Sequence, residues 1–278
     1  MLIGAHVSAS GGLVQAIHNA VALDINVIQI FGSSPMQWKA NLPDKESAEL
    51  FKKERRAKGI EKVFLHAPYL INLASEKPSI RHLSRVLLAD SLKISNAIGA
   101  DGVIYHSGSA GTQNIDEALS IAVEAVQRIL QEVPVGTLIV ENAAGAGALI
   151  GDTIDELAYM IKKISSPRFG FCLDTCHALA SGMIEDFNEK NIQKLEAEIK
   201  KKIGVKKLLA IHLNDSKFPY NSKRDRHENI GKGHIGTEGF KNFFKSKLFR
   251  SAPLILEVPG FTGNGPDEKN VKILKSLI

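Results

Sequence analysis

Short apolar runs alternate along the chain with longer stretches in which apolar residues recur every three or four positions. The short runs read as buried strands and the longer stretches as amphipathic helices. The strands fall at 2–6, 26–31, 62–66, 102–106, 137–141, 169–174, 207–213 and 253–258. The helices fall at 11–22, 44–58, 78–98, 114–132, 152–164, 188–203, 237–246 and 267–277. In 114–132, Ile115, Ala118, Leu119, Ala122, Val126 and Ile129 share one face. Asn114 and Asp152 are placed to cap helix starts, and Gly59, Gly99 and Gly204 follow helix ends, where a left-handed residue is useful.

Eight strand–helix units in series predict an α/β fold, a TIM (β/α)8 barrel, with residues 1–278 as one domain. An open doubly wound sheet is the alternative, but it would not bring all eight strand ends around one point. Three connections exceed what a simple barrel loop needs: 32–43, 175–187 and 214–236. Each follows a strand, so each belongs to the C-terminal face of the barrel, where this fold carries its chemistry. Long loops there suit a large or extended substrate.

Composition narrows the class without naming a function. The chain has 278 residues, 44% hydrophobic and 23% charged, an ordinary globular composition that can bury a core without covalent staples. Its two cysteines, Cys172 and Cys176, give no disulfide framework and fit a reducing compartment. No signal-peptide pattern opens the chain and no apolar run approaches membrane-spanning length, so a cytoplasmic protein without membrane attachment is expected. A formal net charge of +5 and a pI near 9.0 permit a polyanionic partner without requiring one. The Lys/Glu-rich stretch from Glu189 to Lys207 reads as a solvated helix face. Lys217, Lys223, Arg224, Arg226 and Lys232 are better placed for phosphate, beside ligand-type residues.

Chemistry enters at the strand ends. Six of the apolar runs finish on His66, His106, Glu141, Asp174, His212 and Glu257. Singly, each has a bland explanation as a rim hydrogen-bonder or helix cap. Together on one face they predict a polar centre, and so many carboxylates buried side by side would be costly without cations. His177 lies three residues past Asp174, and Asp225 and His227 lie on one side of an extended segment. These nine residues suit divalent metals: imidazole favours zinc, and carboxylates can bridge two ions. His6 ends the first strand and is expected to hydrogen-bond at the edge of the centre. Cys172 reads as a small buried core residue, and His18 and His82 as helix residues. A cation cluster activates water and offsets phosphate charge, which dispenses with a side-chain nucleophile. No Gly-x-Ser-x-Gly elbow or Walker loop is present. Gly231-Lys-Gly-His-Ile-Gly236 could bring backbone N–H groups to a phosphate.

The chain resembles the endonuclease IV family of apurinic/apyrimidinic endonucleases. The resemblance rests on Gly4-Ala-His-Val-Ser-Ala-Ser-Gly-Gly12, His66-Ala-Pro-Tyr-Leu-Ile-Asn72, His106-Ser-Gly-Ser109, Glu141-Asn142, Cys172-Leu-Asp-Thr-Cys-His177, His212-Leu-Asn-Asp215, Asp225-Arg-His227, Gly231 to Gly236, and Leu256-Glu257. It implies a barrel that hydrolyses the DNA backbone 5′ to an abasic site, leaves a 3′-hydroxyl, and cleans blocked 3′ ends. It further implies three Zn²⁺ ions, with Mn²⁺ possible at some positions. His66, His106 and Glu141 would hold the first. Glu141, Asp174, His212 and Glu257 would hold the second, and His177, Asp225 and His227 the third. Glu141 and Glu257 would carry the catalytic step, in which a metal-bridging hydroxide attacks phosphorus in line. Asn142 and Asn214 would support the ligands from behind.

The same resemblance assigns DNA contact to Met36, Gln37 and Trp38 after the second strand and to Tyr69 and Leu70 after the third, with Lys217, Arg226 and Lys232 on the rim. Some relatives carry Arg where this chain has Met36, and an apolar wedge can still unstack a base step. The expected partner is double-stranded DNA containing abasic sites or blocked 3′ ends, bound by a monomer. A xylose-isomerase-like sugar isomerase and a non-catalytic lesion-binding barrel are the competing readings. The extra ligands His177, Asp225 and His227 disfavour the first, and the complete ligand set disfavours the second.

Overall fold

In the computed structural model, which describes residues 1–278, the apolar runs become strands β1 (Ile3–His6), β2 (Val27–Phe31), β3 (Lys62–His66), β4 (Gly102–His106), β5 (Leu138–Glu141), β6 (Phe169–Asp174) and β7 (Leu208–His212). A short antiparallel pair follows, β8 (Asp215–Ser216) and β9 (His227–Glu228), and then β10 (Leu254–Leu256). All but that pair are parallel and close into a barrel in the order β1-β10-β7-β6-β5-β4-β3-β2. This is the TIM-barrel topology that the alternation of strands and helices predicts.

The helices are α1 (Leu13–Ala22), α2 (Lys45–Ala57), α3 (Pro78–Ile98), α4 (Ile115–Glu132), α5 (Ile154–Ile164), α6 (Thr175–Ser181), α7 (Glu189–Lys202), α8 (Gly236–Phe243), α9 (Lys247–Ser251) and α10 (Glu268–Ser276). Local chemistry explains many of the boundaries. Asp44, Asn114 and Asn188 accept backbone N–H groups from the first turns of α2, α4 and α7. Gly99 ends α3 in the left-handed conformation. No helix is long and apolar enough to cross a membrane.

Three expectations need correction. The cap of α5 is Thr153 rather than Asp152; Thr153 accepts the Glu156 N–H, while Asp152 is drawn into partial burial beside Lys223. The expected helix 237–246 ends at Phe243, and Ser246 starts a separate helix, α9, by accepting the Phe249 N–H. The connection 175–187 is not a plain loop, since its first seven residues form α6, which Asp174 caps through the His177 N–H.

Strand alternation separates two cores. Outward residues such as Ile28, Leu65, Val103, Val140, Phe171 and Ile211 pack under the helices. Fully burying each such side chain contributes roughly 1.5–3 kcal/mol. Inward residues Val27, Phe64, Ile104, Ile139, Cys172, Ala210 and Ile255 form a separate plug inside the barrel. Gly4 holds the matching position on β1, where an added Cβ would fall 2.4 Å from the Val27 carbonyl oxygen. Two residues further along each strand, the same inward phase delivers His6, Gln29, His66, His106, Glu141, Asp174 and His212, with Glu257 just past β10. The apolar plug is thus the floor of a polar layer.

Candidate metal centre

The polar layer is dense and mostly buried. Glu141 sits at its middle: Oε2 lies 3.4 Å from His66 Nε2 and 3.6 Å from His106 Nε2, and Oε1 lies 2.9 Å from His212 Nδ1. Glu257 Oε2 is 3.1 Å from the same His212 nitrogen. Beside them, His177 Nε2 stands 3.1 Å from Asp225 Oδ1, and His227 Nε2 stands 3.6 Å from Asp174 Oδ2 and 3.5 Å from Asp225 Oδ1. The potential ligand atoms gather into three groups: His66, His106 and Glu141; Glu141, Asp174, His212 and Glu257; and Asp174, His177 and His227. The sequence expectation grouped Asp225 with His177 and His227; the fold adds Asp174 to that group and keeps Asp225 at its open side, with its side chain 54% exposed.

Hydrogen bonds behind the ring nitrogens orient them. His66 Nδ1 donates to its neighbour's carbonyl, Ala67 O, at 2.7 Å. His177 Nδ1 donates to Asn142 O at 2.9 Å, and His227 Nδ1 to Glu257 O at 3.2 Å. Each bond consumes the outer nitrogen and turns Nε2 inward. His177 Nε2 and His227 Nε2 are buried and have no hydrogen-bond partner, for the approach to Asp225 lacks hydrogen-bond geometry. Buried polar atoms seldom stay unpaired. Imidazole lone pairs and carboxylates converging on shared points, with two such atoms orphaned, fit divalent cations.

The carboxylates are held by neighbouring side chains. Asn142 Oδ1 accepts the Asp174 N–H at 2.6 Å, and Asn214 Nδ2 donates to Asp174 Oδ2 at 2.7 Å. Burial opposes ionisation of Glu141, yet the imidazoles of His212, His106 and His177 outweigh it and hold the carboxyl well below its usual range. Burial pushes His106 down to about 4, so that ring is neutral, as a ligand must be. His6 Nδ1 lies 3.0 Å from Gln29 Nε2 and 3.5 Å from Glu257 Oε1.

Gln29 is the residue that sequence reasoning missed. It is fully buried and touches three members of the centre: its Oε1 is 2.8 Å from His212 Nε2, and its Nε2 is 2.6 Å from Glu257 Oε1 and 3.0 Å from His6 Nδ1. The signal was there, a lone polar residue in the run Val27-Ile-Gln-Ile-Phe31, but it lies mid-strand, where a rule about strand ends does not reach. The loop after β5 was also overlooked. Ala143, Leu149 and Ile150 join Tyr69, Leu70, His106, His177 and Asp225 around a cavity of about 310 Å³. A second hollow of about 870 Å³ opens over His6 and Phe31, between the loops after β1 and β2.

The rim is uneven. Met36, Gln37, Trp38 and Tyr69 are exposed and Leu70 is half-buried. The Tyr69 ring packs 5.4 Å from that of His66, and burial together with Glu257 and Glu141 pushes its hydroxyl up to about 12. Lys217, Arg226 and Lys232 are exposed. Lys223 and Arg224 are occupied locally: Lys223 Nζ donates to Ser181 O at 2.6 Å, and the Arg224 guanidinium lies over the Phe218 ring. The same strap donates from Asn221 N to Leu179 O and from Lys223 N to Ala180 O, although both residues adopt a left-handed backbone, φ 56° and 57°. It is thereby clipped to the carbonyl end of α6, the helix that carries His177.

The segment Gly231–Gly236 does not offer its amides to a phosphate. Asp215 takes them: Gly233 N donates to Oδ2 at 3.0 Å and Ile235 N to Oδ1 at 2.9 Å, with Gly236 N also in range. A buried carboxylate already fills the place proposed for an anion.

Comparison with known proteins places this arrangement. Residues 17–277 match the family model described as xylose isomerase-like TIM barrel. The chain is 36% identical to a probable endonuclease 4 of a Geobacter species, with 100% of this chain and 99% of that protein covered. It is 38% identical to a probable endonuclease 4 of Persephonella marina, covering 99% and 96%. It superposes on the crystal structure of endonuclease IV from Thermus thermophilus with a TM-score of 0.87 and 29% identity, covering 100% of this chain and 98% of that one.

Proposed function

Because the chain belongs to the endonuclease IV family of xylose isomerase-like TIM barrels, we propose that it repairs DNA by hydrolysing the phosphodiester 5′ to an abasic site, leaving a 3′-hydroxyl. The same centre would clear blocked 3′ ends, since both reactions break a phosphate ester at a 3′-oxygen. Residues 1–278 would act as one domain and as a monomer on double-stranded DNA.

One observation carries this reading. Nine ligand-type side chains, drawn from six strand ends and two connections, meet beside an open cavity. His66, His106 and Glu141 would hold one cation, and Glu141, Asp174, His212 and Glu257 a second. His177, Asp225 and His227, with Asp174 close by, would hold a third. The donor set of imidazoles and carboxylates suits Zn²⁺, and the oxygen-rich second position also admits Mn²⁺. When bound, such ions ionise a water near neutral pH and offset the charge of a phosphate and its leaving oxygen.

The protein's own groups do the rest. Glu141 and Glu257 compensate the cations from inside the barrel. Asn142 and Asn214 fix Asp174, so the ligand atoms need little rearrangement when substrate arrives. Tyr69 and Leu70 wall the cavity where an extrahelical sugar would sit. Met36, Gln37 and Trp38 stand where a wedge could enter the stack. Lys217, Arg226 and Lys232 supply positive charge for the backbone. A small polyol would need neither this rim nor a third set of ligands.

The deciding experiment is incision of a duplex carrying one abasic analogue by zinc-loaded protein. A single cut 5′ to the lesion is expected. Binding without cutting would replace the reading with that of a lesion-binding module. Aldose–ketose conversion without cutting would replace it with that of a sugar isomerase.

A further inference from the structure

We propose that Gln29 is a positioning residue, which fixes the His212 ring so that Nδ1, not Nε2, faces the cation shared with Glu141, Asp174 and Glu257. The inference rests on the reading above that a cation occupies that group.

The hydrogen-bond inventory of a primary amide decides the assignment. Gln29 offers two N–H donors and one acceptor oxygen. Its nitrogen lies 2.6 Å from Glu257 Oε1, and a carboxylate there can only accept. The amide therefore cannot be flipped without setting oxygen against oxygen. Its second N–H points to His6 Nδ1 at 3.0 Å. Both donors are then spent on acceptors, and Oε1 is left facing His212 Nε2 at 2.8 Å. Only a protonated Nε2 satisfies that oxygen.

With the proton on Nε2, the lone pair of His212 emerges at Nδ1. That atom lies 2.9 Å from Glu141 Oε1 and 3.1 Å from Glu257 Oε2. Without metal, a second proton on Nδ1 donates to Glu141 Oε1; a cation taking its place meets the same carboxylate oxygens. His66, His177 and His227 present Nε2, because their Nδ1 atoms donate to backbone carbonyls. His212 is turned the other way, and the partner responsible is a side chain on β2, across the barrel interior. Gln29 also grips Glu257, so one amide aligns two ligands of the same cation. It is fully buried above the apolar plug, where a polar side chain without a task would be costly.

The test reads the ring directly. In zinc-loaded wild-type protein with ¹⁵N-labelled histidine, His212 is expected to show a protonated Nε2 and a metal-bound Nδ1. Gln29→Met should remove that signature and weaken one zinc by about 10- to 100-fold in competition with a chromophoric chelator, the usual cost of losing such a supporting partner. The proposal is overturned if wild-type His212 binds zinc through Nε2, or if Gln29→Met keeps both signature and affinity. The wild-type spectrum decides even if Gln29→Met does not fold. Its outcome is separate from incision: zinc bound through Nδ1 in a protein that leaves abasic DNA intact would keep this inference and refute the proposed reaction.

Discussion

Asn214 donates from Nδ2 to Asp174 Oδ2 at 2.7 Å, while its Oδ1 accepts the Glu257 N–H at 2.8 Å. One amide thus ties the end of β6 to the residue that follows β10, through the connection after β7 that lies between them in the barrel order. Asn214→Leu would leave a buried carboxylate oxygen and a backbone N–H without partners. A loss of about 1–3 kcal/mol from the metal-free protein is expected by urea denaturation. Unchanged stability would show that these bonds are replaced by water.

Removing the cations should destabilise the fold and do so in order. Metal-free, the centre keeps two unpaired imidazole nitrogens and its carboxylates close together. Chelation is expected to lower the melting temperature and added zinc to restore it. Asp225 opens its group to solvent on one side, while Glu141 and His212 are buried. One ion should therefore leave well before the others. Release in a single phase would contradict this order.

Zinc uptake should release protons. Burial opposes protonation of His177, but Asp174 and Asp225 outweigh it and raise its pKa well above the usual histidine value. In the metal-free protein the ring thus keeps a proton as pH rises past the ordinary range, and a cation must displace it. Apparent affinity should fall as pH falls, measured by zinc titration in weakly buffered indicator. A pH-independent affinity would place the proton elsewhere.

Met36 is 72% exposed at the tip of the loop after β2. Met36→Arg should tighten binding to an abasic duplex at low salt. The slope of log affinity against log salt should steepen by about one, the signature of one added phosphate contact. An unchanged slope would place this loop away from the DNA backbone.

Gly233 sits where an added Cβ would fall 2.2 Å from Ser216 O and 2.6 Å from Asp215 Oδ1. Gly233→Ala must push the loop off Asp215 and is expected to cost roughly 1–3 kcal/mol. The neighbouring Lys232→Ala should leave stability unchanged and weaken DNA binding. Equal melting temperatures for Gly233→Ala and wild type would rule out a tight carboxylate cradle.

The barrel and the inward side chains at its strand ends were legible because both follow from strand periodicity. A residue two positions past an inward apolar residue must also face inward, so Ile104 implies His106 and Cys172 implies Asp174. Connections obey no such rule. The seven residues of α6 were hidden because Thr175-Cys-His-Ala-Leu-Ala-Ser181 carries no polar face; it is buried throughout. The phosphate reading of Gly231–Gly236 failed because Asp215, eighteen residues before Gly233, takes the same amides. Gln29 escaped notice because its role depends on atoms from β1, β7 and the residue after β10, and no local pattern encodes that meeting.

The clip between Lys223 and the end of α6 has a consequence for how such a centre could change through descent. Two of the groups stand on barrel strand ends. The remainder hangs on a short helix and a surface strap, joined to each other by Asn221 and Lys223 and not by the barrel's own ladder. Editing that strap alone could add or delete a cation while the barrel folds as before. On the proposed reading, metal number would be a trait that one surface segment could tune.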